Sequence, residues 1–306
     1  MHEEFETPGG LLITGVSGYL GRQLGRMAGQ AGGWSEVTGT YWSHPVEIPG
    51  VQAVKLDLSD PAAVASLVQN VRPRVVVHTA ISYGPDQRPV IVDGTRHITQ
   101  AAERVGARLI HLSTDVLHDG EHGPYADDTP PTPIHEYGRA KAEAESQVLE
   151  SGGEWLIVRT SLIFGFDPPD RQLFWLLNSV RGDKPIQLYT NELRNPVWVD
   201  NLAEALLELA TRSEVRGYLN VAGAQAVNRY ELGLKFLNFL GMEPRNIEPA
   251  LSAGLAQNRP RDVRLKLDRA QAVLRTRLLG VDEVLESLLQ VRAQILNMLQ
   301  ADRQPE

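Results

Sequence analysis

Leu11-Leu12-Ile13-Thr14-Gly15-Val16-Ser17-Gly18-Tyr19-Leu20-Gly21 decides how the first half of this chain is read. Leu11–Thr14 is a short apolar run that ends in glycines, the pattern of a buried strand running into a tight turn. From Tyr19 to Ala31, Leu20, Leu24 and Met27 fall on one face, so the spacing predicts a helix. Glycines between such a strand and such a helix let the backbone turn sharply. They also let a pyrophosphate approach the helix N-terminus, where unpaired N–H groups and the helix dipole favour anions. A glycine triplet alone marks only a turn. The strand before it and the helix after it make it a dinucleotide-binding turn.

Outward from this turn the alternation repeats. Strands are predicted at Glu36–Tyr41, Ala53–Leu58, Arg74–His78, Arg108–Ser113 and Trp155–Leu162, and helices at Asp93–Val105 and Tyr137–Leu149. Asp60-Pro61 starts a further helix that ends near Val71, with the acid as N-cap and proline in the first turn. Strands and helices at this spacing give an α/β fold, a Rossmann-type doubly wound parallel sheet covered on both faces. After Phe164 the alternation stops. Pro168-Pro169-Asp170 marks a loop, Arg171–Arg181 reads as a helix, and Asn195–Val199 begins a segment returning to the first domain. Asp200–Arg212 reads as a helix with Asp200 or Asn201 near its N-cap, and Gly217–Ala222 as a strand. Tyr230–Leu240 and Val281–Leu299 read as amphipathic helices. The expected division is a nucleotide-binding domain of residues 1–165 plus about 196–222, and a smaller C-terminal substrate-binding lobe of 166–195 plus 223–306. The cleft is expected at the carboxyl ends of the strands.

Composition narrows the function classes. The net charge is −8 and no block of Lys and Arg interrupts the 306 residues, which argues against a nucleic-acid partner. With no cysteine there is no disulfide, thiolate catalyst or Cys-ligated metal. The scattered histidines form no metal cluster, and His118 and His122 read as polar loop residues. Met1–Gly10 lacks the basic and apolar regions of a signal peptide, and no run approaches the ~20 apolar residues that span a bilayer. A cytoplasmic protein without membrane contact is the expectation.

Chemistry enters after the fifth strand. Ser113-Thr114-Asp115 sits at its end, and Tyr137 and Lys141 follow at a spacing that shares one helix face. A free tyrosine has a pKa of ~10, too high for acid–base work at neutral pH, and an adjacent ammonium lowers it. A hydroxyl from a strand end can orient a carbonyl. Together these groups suit carbonyl reduction, with hydride from a nicotinamide and a proton from Tyr137. Across Thr38–His44, at the end of the second strand, no acid stands ready for a ribose hydroxyl. That favours NADP(H), with NAD(H) left open.

The glycine spacing is G-x-x-G-x-x-G, which resembles the extended short-chain dehydrogenase/reductases of the NAD-dependent epimerase/dehydratase superfamily. Ile110–Gly120, Gly123-Pro124-Tyr125, Thr129–Pro133, Tyr137-Gly138, Val158–Ser161, Arg194–Ala203 and Arg259-Pro260 are similar to dTDP-4-dehydrorhamnose reductase and its relatives, over nearly the whole chain. This resemblance implies a catalytic triad of Thr114, Tyr137 and Lys141. It implies cofactor contacts from Gly15, Ser17, Gly18, Tyr19, Leu20 and Gly21 of the turn, Ser43 after the second strand, and Asp57-Leu58 after the third. His78-Thr79-Ala80 after the fourth strand, Ser113, Tyr137 and Lys141 complete the implied cofactor contacts. It further implies a nucleotide-sugar substrate, a role in dTDP-rhamnose biosynthesis and a homodimer. Two departures stand beside the site: Ile91 replaces the family's asparagine, and the segment Ser82–Arg88 is short. A reductase or epimerase acting on another carbonyl, and a non-catalytic NADP-binding regulatory subunit, are the alternatives. Gly15→Val and Gly18→Val are both expected to abolish cofactor binding while sparing the fold.

Overall fold

A computed structural model describes residues 9–82, 87–182, 184–252 and 259–301. Seven parallel strands form the main sheet. Six come from the first half: β1 (Leu11–Thr14), β2 (Val37–Tyr41), β3 (Gln52–Lys55), β4 (Val75–His78), β5 (Arg108–Thr114) and β6 (Trp155–Thr160). The chain then leaves the sheet through β7 (Ile163–Phe164), β8 (Ile186–Tyr189), β9 (Leu193–Arg194) and β10 (Val197–Trp198), and returns as β11 (Gly217–Asn220) beside β6. The order is β11-β6-β5-β4-β1-β2-β3. Every residue of β1 and β4 is buried, as a parallel sheet covered on both faces requires, whereas β3 at the edge is half exposed.

Helices α1 (Tyr19–Ala31), α2 (Pro61–Val71), α3 (Gly94–Val105), α4 (Glu136–Leu149), α5 (Arg171–Val180) and α6 (Val199–Ala210) follow the chain. On one face of the sheet, Leu24 and Ala28 of α1 pack with Leu202, Leu206 and Leu209 of α6. On the other face, Val64 and Val68 of α2 pack with Ile98 and Ala102 of α3 and Val148 of α4. Asp60 caps α2 by accepting from the N–H groups of Ala62 and Ala63, as the Asp-Pro pair foretells.

A second core lies beyond β7. Phe164 and Phe166 pack with Leu173 and Leu177 of α5 and with Phe236 and Phe239 of α7 (Arg229–Leu240). Two short strand pairs border it. β12 (Val227–Asn228) runs antiparallel to β9, and β13 (Ile247–Ala250) runs parallel to β8. α8 (Asp268–Val273), α9 (Val281–Ser287) and α10 (Arg292–Ala301) end the described chain. Val263, Leu265, Leu267 and Leu278, which the sequence division assigns to the lobe, pack with the core of the main sheet.

Local structure departs from expectation in two places. The helix expected over Val281–Leu299 is broken, with a 3₁₀ turn at Leu289–Val291, so that Val284 and Leu285 before the bend and Ile295 and Leu299 after it all reach the second core. The helix expected from Asp93 starts earlier, with a wide π-helical turn at Pro89–Asp93 that leads into α3. Asp200 and Asn201 lie near the N-cap of α6, in its first turn, as expected. Trp198 stands at the cap, and Asn201 donates to the carbonyl of Arg277 and accepts from the N–H of Leu279.

Candidate active site

The strand order reverses between β1 and β4, and Thr14 lies opposite His78 at their carboxyl ends. Ligands of open α/β sheets bind in the crevice such a reversal leaves. The glycine turn follows β1 and Thr79-Ala80 follows β4, so the two turns flank the crevice. They are tied together: Thr79 Oγ1 donates to the Thr14 carbonyl at 2.7 Å, and the Ala80 N–H donates to Thr14 Oγ1 at 3.3 Å.

Gly15 has φ +75°, and a Cβ on it would stand 2.7 Å from Ala80 Cα. A Cβ on Gly21 would stand 2.1 Å from the Gly15 carbonyl oxygen. Gly18, in contrast, is exposed, has extended backbone, and heads α1 with no side chain capping it. The expectation that valine at Gly15 spares the fold therefore needs correcting. Left-handed backbone and the Ala80 contact charge that substitution with a folding cost that Gly18 does not carry.

The remaining implied cofactor residues divide by what their side chains do. The Leu20 and Leu58 side chains are buried in the core, so only their backbone is available to a ligand. The Tyr19 hydroxyl donates to the Pro168 carbonyl at 3.2 Å, and burial, helped by Asp170, Asp200 and Asp167, pushes its pKa up. Ser17 is half-buried at the turn, and Ser43 is exposed with its Oγ 2.8 Å from His44 Nδ1. Asp57 accepts from the N–H and hydroxyl of Ser59, which makes it a turn-capping acid. His78 is buried, with Nδ1 2.7 Å from Thr14 Oγ1 and Nε2 3.1 Å from Thr95 Oγ1. Thr95 spends its own proton on the Ile91 carbonyl, so His78 is the donor to Thr95 and the acceptor from Thr14. Ser113 is buried, and its Oγ has no hydrogen-bond partner among the described residues.

The three residues of the implied triad are held by β5 and α4. A Cβ on Gly138 would stand 2.5 Å from the Val116 carbonyl oxygen, so glycine at this position lets α4 press onto the turn after β5. One turn along α4, Lys141 Nζ donates to the Leu112 carbonyl at 2.6 Å. Thr114 lies between those two points of attachment and is part-buried. Tyr137 packs against a small apolar cluster of Ile91, Val92, Ala140 and Ala144, with its ring 6.2 Å from that of His135. Ile91, in the π-helical turn, therefore presents an apolar surface to the tyrosine where the resemblance implies an amide. Of the short segment before it, Tyr83–Asp86 lie outside the described residues.

Charged side chains that sequence reasoning passed over line the other side. Buried Asp115 accepts from Ser161 Oγ at 2.6 Å and lies 3.8 Å from Arg194 Nε; burial pushes its carboxyl up while Arg194 and Ser161 pull it down. Arg259 makes a two-point pair with Glu192, at 2.5 and 2.9 Å, and Arg229 Nε lies 3.6 Å from the same carboxylate. Burial pushes the Arg229 guanidinium down to about 10. These three guanidiniums face three buried carboxylates, Glu192, Asp115 and, near Arg229, Asp170. Arg194 and Arg259 both act on His135, which burial keeps neutral, so this group stands beside Tyr137. Behind α4, Arg159 pairs with Glu145 at 3.1 and 2.7 Å, both buried, and donates to the carbonyls of Asp127 and Thr129. His118 stands in the loop after the 3₁₀ turn at Asp115–Leu117, as expected, but it does not face solvent. It is fully buried, stacked on Tyr125 at 4.0 Å, and burial pushes it down to about 4.

The profile of the RmlD substrate binding domain matches residues 9–293 of this chain. The dTDP-4-dehydrorhamnose reductase of Mycobacterium tuberculosis (strain ATCC 25618 / H37Rv) is 29% identical over 266 residues, 82% of each chain. Methionine adenosyltransferase 2 subunit beta of Xenopus laevis is 27% identical over 253 residues, 78% of this chain and 74% of that one. The crystal structure of dTDP-4-dehydrorhamnose reductase from Bacillus anthracis in complex with NADP shares the fold, with TM-score 0.77 at 23% identity over 93% of this chain and 99% of that one. So does MoeE5 in complex with UDP-glucose and NAD, with TM-score 0.79 at 21% identity over 94% and 100%. Proteins of this fold thus bind NADP or NAD, and nucleotide sugars among their ligands. Among the described residues no helix is long and apolar enough to cross a membrane.

Proposed function

This chain belongs to the family of the RmlD substrate binding domain, and on that premise we propose that it is an NADPH-dependent reductase of a 4-keto group on a nucleotide-linked deoxysugar, as in dTDP-rhamnose biosynthesis. The observation that supports the reading is the fastening of α4 to β5, by Gly138 at the Val116 carbonyl and by Lys141 at the Leu112 carbonyl, on either side of Thr114 in the chain.

The chain's groups suit a dinucleotide. The uncapped start of α1 offers backbone N–H groups to a pyrophosphate, and the unmatched Ser113 Oγ and Lys141 offer hydrogen bonds on the β5 side. A bound reduced nicotinamide supplies the hydride. The protein's part is to orient the carbonyl with Thr114 and to deliver the Tyr137 proton to its oxygen, with the Lys141 ammonium making that proton easier to release. Arg259, more exposed than Arg194 and Arg229, suits the diphosphate of a nucleotide sugar. The first domain, residues 1–165 with 196–222, would hold the dinucleotide, and the lobe of 166–195 and 223–306 the sugar.

The test is a thermal-shift screen with NADPH, NADH and a panel of nucleotide sugars. A ligand at 100 times its Kd stabilises by about 2.7 kcal/mol, a shift readily seen. NADPH and a 4-keto-6-deoxy sugar nucleotide are expected to stabilise, and together to consume NADPH. Tight NADPH binding with no member of the panel reduced would favour the regulatory-subunit reading, for which the likeness to methionine adenosyltransferase 2 subunit beta is the specific support.

A further inference from the structure

Behind the face of α4 that carries Tyr137 lie two buried histidines for which the proton transfer derived above has no use. The rings of His111 on β5 and His78 on β4 are 5.3 Å apart. His78 is satisfied at both nitrogens. His111 is fully enclosed, and its Nδ1 has no hydrogen-bond partner among the described residues. Its Nε2 lies 3.3 Å from Lys141 Nζ, its one polar side-chain contact among them. Burying a polar atom unmatched costs about 1–3 kcal/mol, which an apolar residue in this strand would avoid.

We propose that His111 is a positioning residue for Lys141. Its Nε2 and the Leu112 carbonyl hold two of the three N–H bonds of the ammonium from inside the sheet, leaving the third for the cleft. An ammonium is a donor only, so Nε2 is the acceptor and the ring proton sits on the unmatched Nδ1. The titratable groups around Lys141 are His111 of β5, His78 of β4, and Tyr137 and Glu145 of α4, with Glu145 paired to Arg159 of β6. Burial lowers Lys141 to about 8 against the pull of Glu145. Burial and the Lys141 charge keep both histidines neutral, so neither sets a second cation beside the ammonium. Lys141 is therefore charged at neutral pH by a narrow margin, and the His111 lone pair supplies part of it.

The effect on turnover rests on the reductase reading, whereas the effect on the lysine does not. The chain has only five lysines, Lys55, Lys141, Lys184, Lys235 and Lys266, so ε-labelled lysine can be followed by NMR, with Lys141→Met to assign the signal. In the intact protein Lys141 should lose its charge as pH rises through about 8. His111→Leu removes the acceptor and should move that titration down by about one pH unit, since hydrogen bonds to charged groups carry this weight. His111→Gln puts an amide oxygen where Nε2 stood and should restore it. Far-ultraviolet circular dichroism and Tm establish that each variant is folded. A Lys141 titration that stays put in folded His111→Leu, or that glutamine fails to restore, overturns the proposal. If the chain reduces a keto sugar, the alkaline fall in kcat must move with the lysine, and an unmoved limb overturns the catalytic role. A protein that reduces nothing loses the reductase reading, while the titration still decides whether His111 holds the ammonium.

Discussion

In the function proposed, the groups that face a ligand on the β1 side of the cleft belong to the main chain, whereas on the β5 side they belong to side chains. The turn from Gly15 to Gly21 offers N–H groups, and its Leu20 side chain lies in the core. Across the crevice the proposed groups are side chains, Thr114, Tyr137, Lys141 and Arg259, and other side chains contact them: His111 reaches the lysine and Glu192 pairs with Arg259. A wall of main chain depends on backbone conformation at a few positions. A wall of side chains depends on pairing, because each buried charge left alone is costly. The first wall suits an invariant ligand, and the second can be retuned for a new one without touching the turn.

The largest expected effect separates the walls by function. Tyr137→Phe keeps the ring in its apolar cluster and removes only the hydroxyl. Reduction should fall by ~10²–10⁴-fold, while calorimetry finds NADPH affinity within a factor of a few of the parent. Equal turnover by the variant would empty the β5 wall of its assigned chemistry.

The next effect asks whether that wall stands on its charges. Arg159→Met leaves buried Glu145 without its guanidinium and frees the carbonyls of Asp127 and Thr129. A loss of about 3–5 kcal/mol is expected in urea unfolding. Removing both partners as Arg159→Met with Glu145→Leu should recover much of it. A loss under ~1 kcal/mol in the single variant would mean that packing, not pairing, holds α4.

The smallest effect tests the main-chain wall position by position. Gly15→Ala should destabilise by at least the ~1–2 kcal/mol of a left-handed alanine, with the Ala80 contact added. Gly18→Ala, at extended backbone with its nearest contact at 3.1 Å, should lose less than about 1 kcal/mol. Denaturation midpoints of the two variants decide this, and equal losses would show that the turn tolerates no side chain anywhere.

This contrast also explains what the sequence made legible. The sheet could be read because apolar runs alternate with helical spacing, and because glycines announce a main-chain site. The strand that returns at Gly217–Asn220 was legible too, although its partner β6 lies more than 50 residues earlier. Tyr137 and Lys141 could be paired because helical spacing puts them on one face. Nothing local marks His111 as the partner of Lys141, since the two meet only when α4 docks on β5. Arg159 with Glu145, and Arg259 with Glu192, likewise join across elements. The burial of His118 within its loop was not legible either, because Tyr125 and the core set its surroundings.

The chain passes between the two hydrophobic cores again and again, at 161–166, 195–199, 223–227 and 278–281, and residues 263–278 come back to the sheet after β13. A cleft whose walls are stitched together by so many passes of backbone has no single hinge to swing on. Its closure would be a sliding of packed helices by small steps. The stitching also bears on protein engineering. No one cut yields two fragments that each own a complete core, so the lobe cannot be exchanged as a cassette between relatives. A change of sugar specificity must be made residue by residue inside the existing weave.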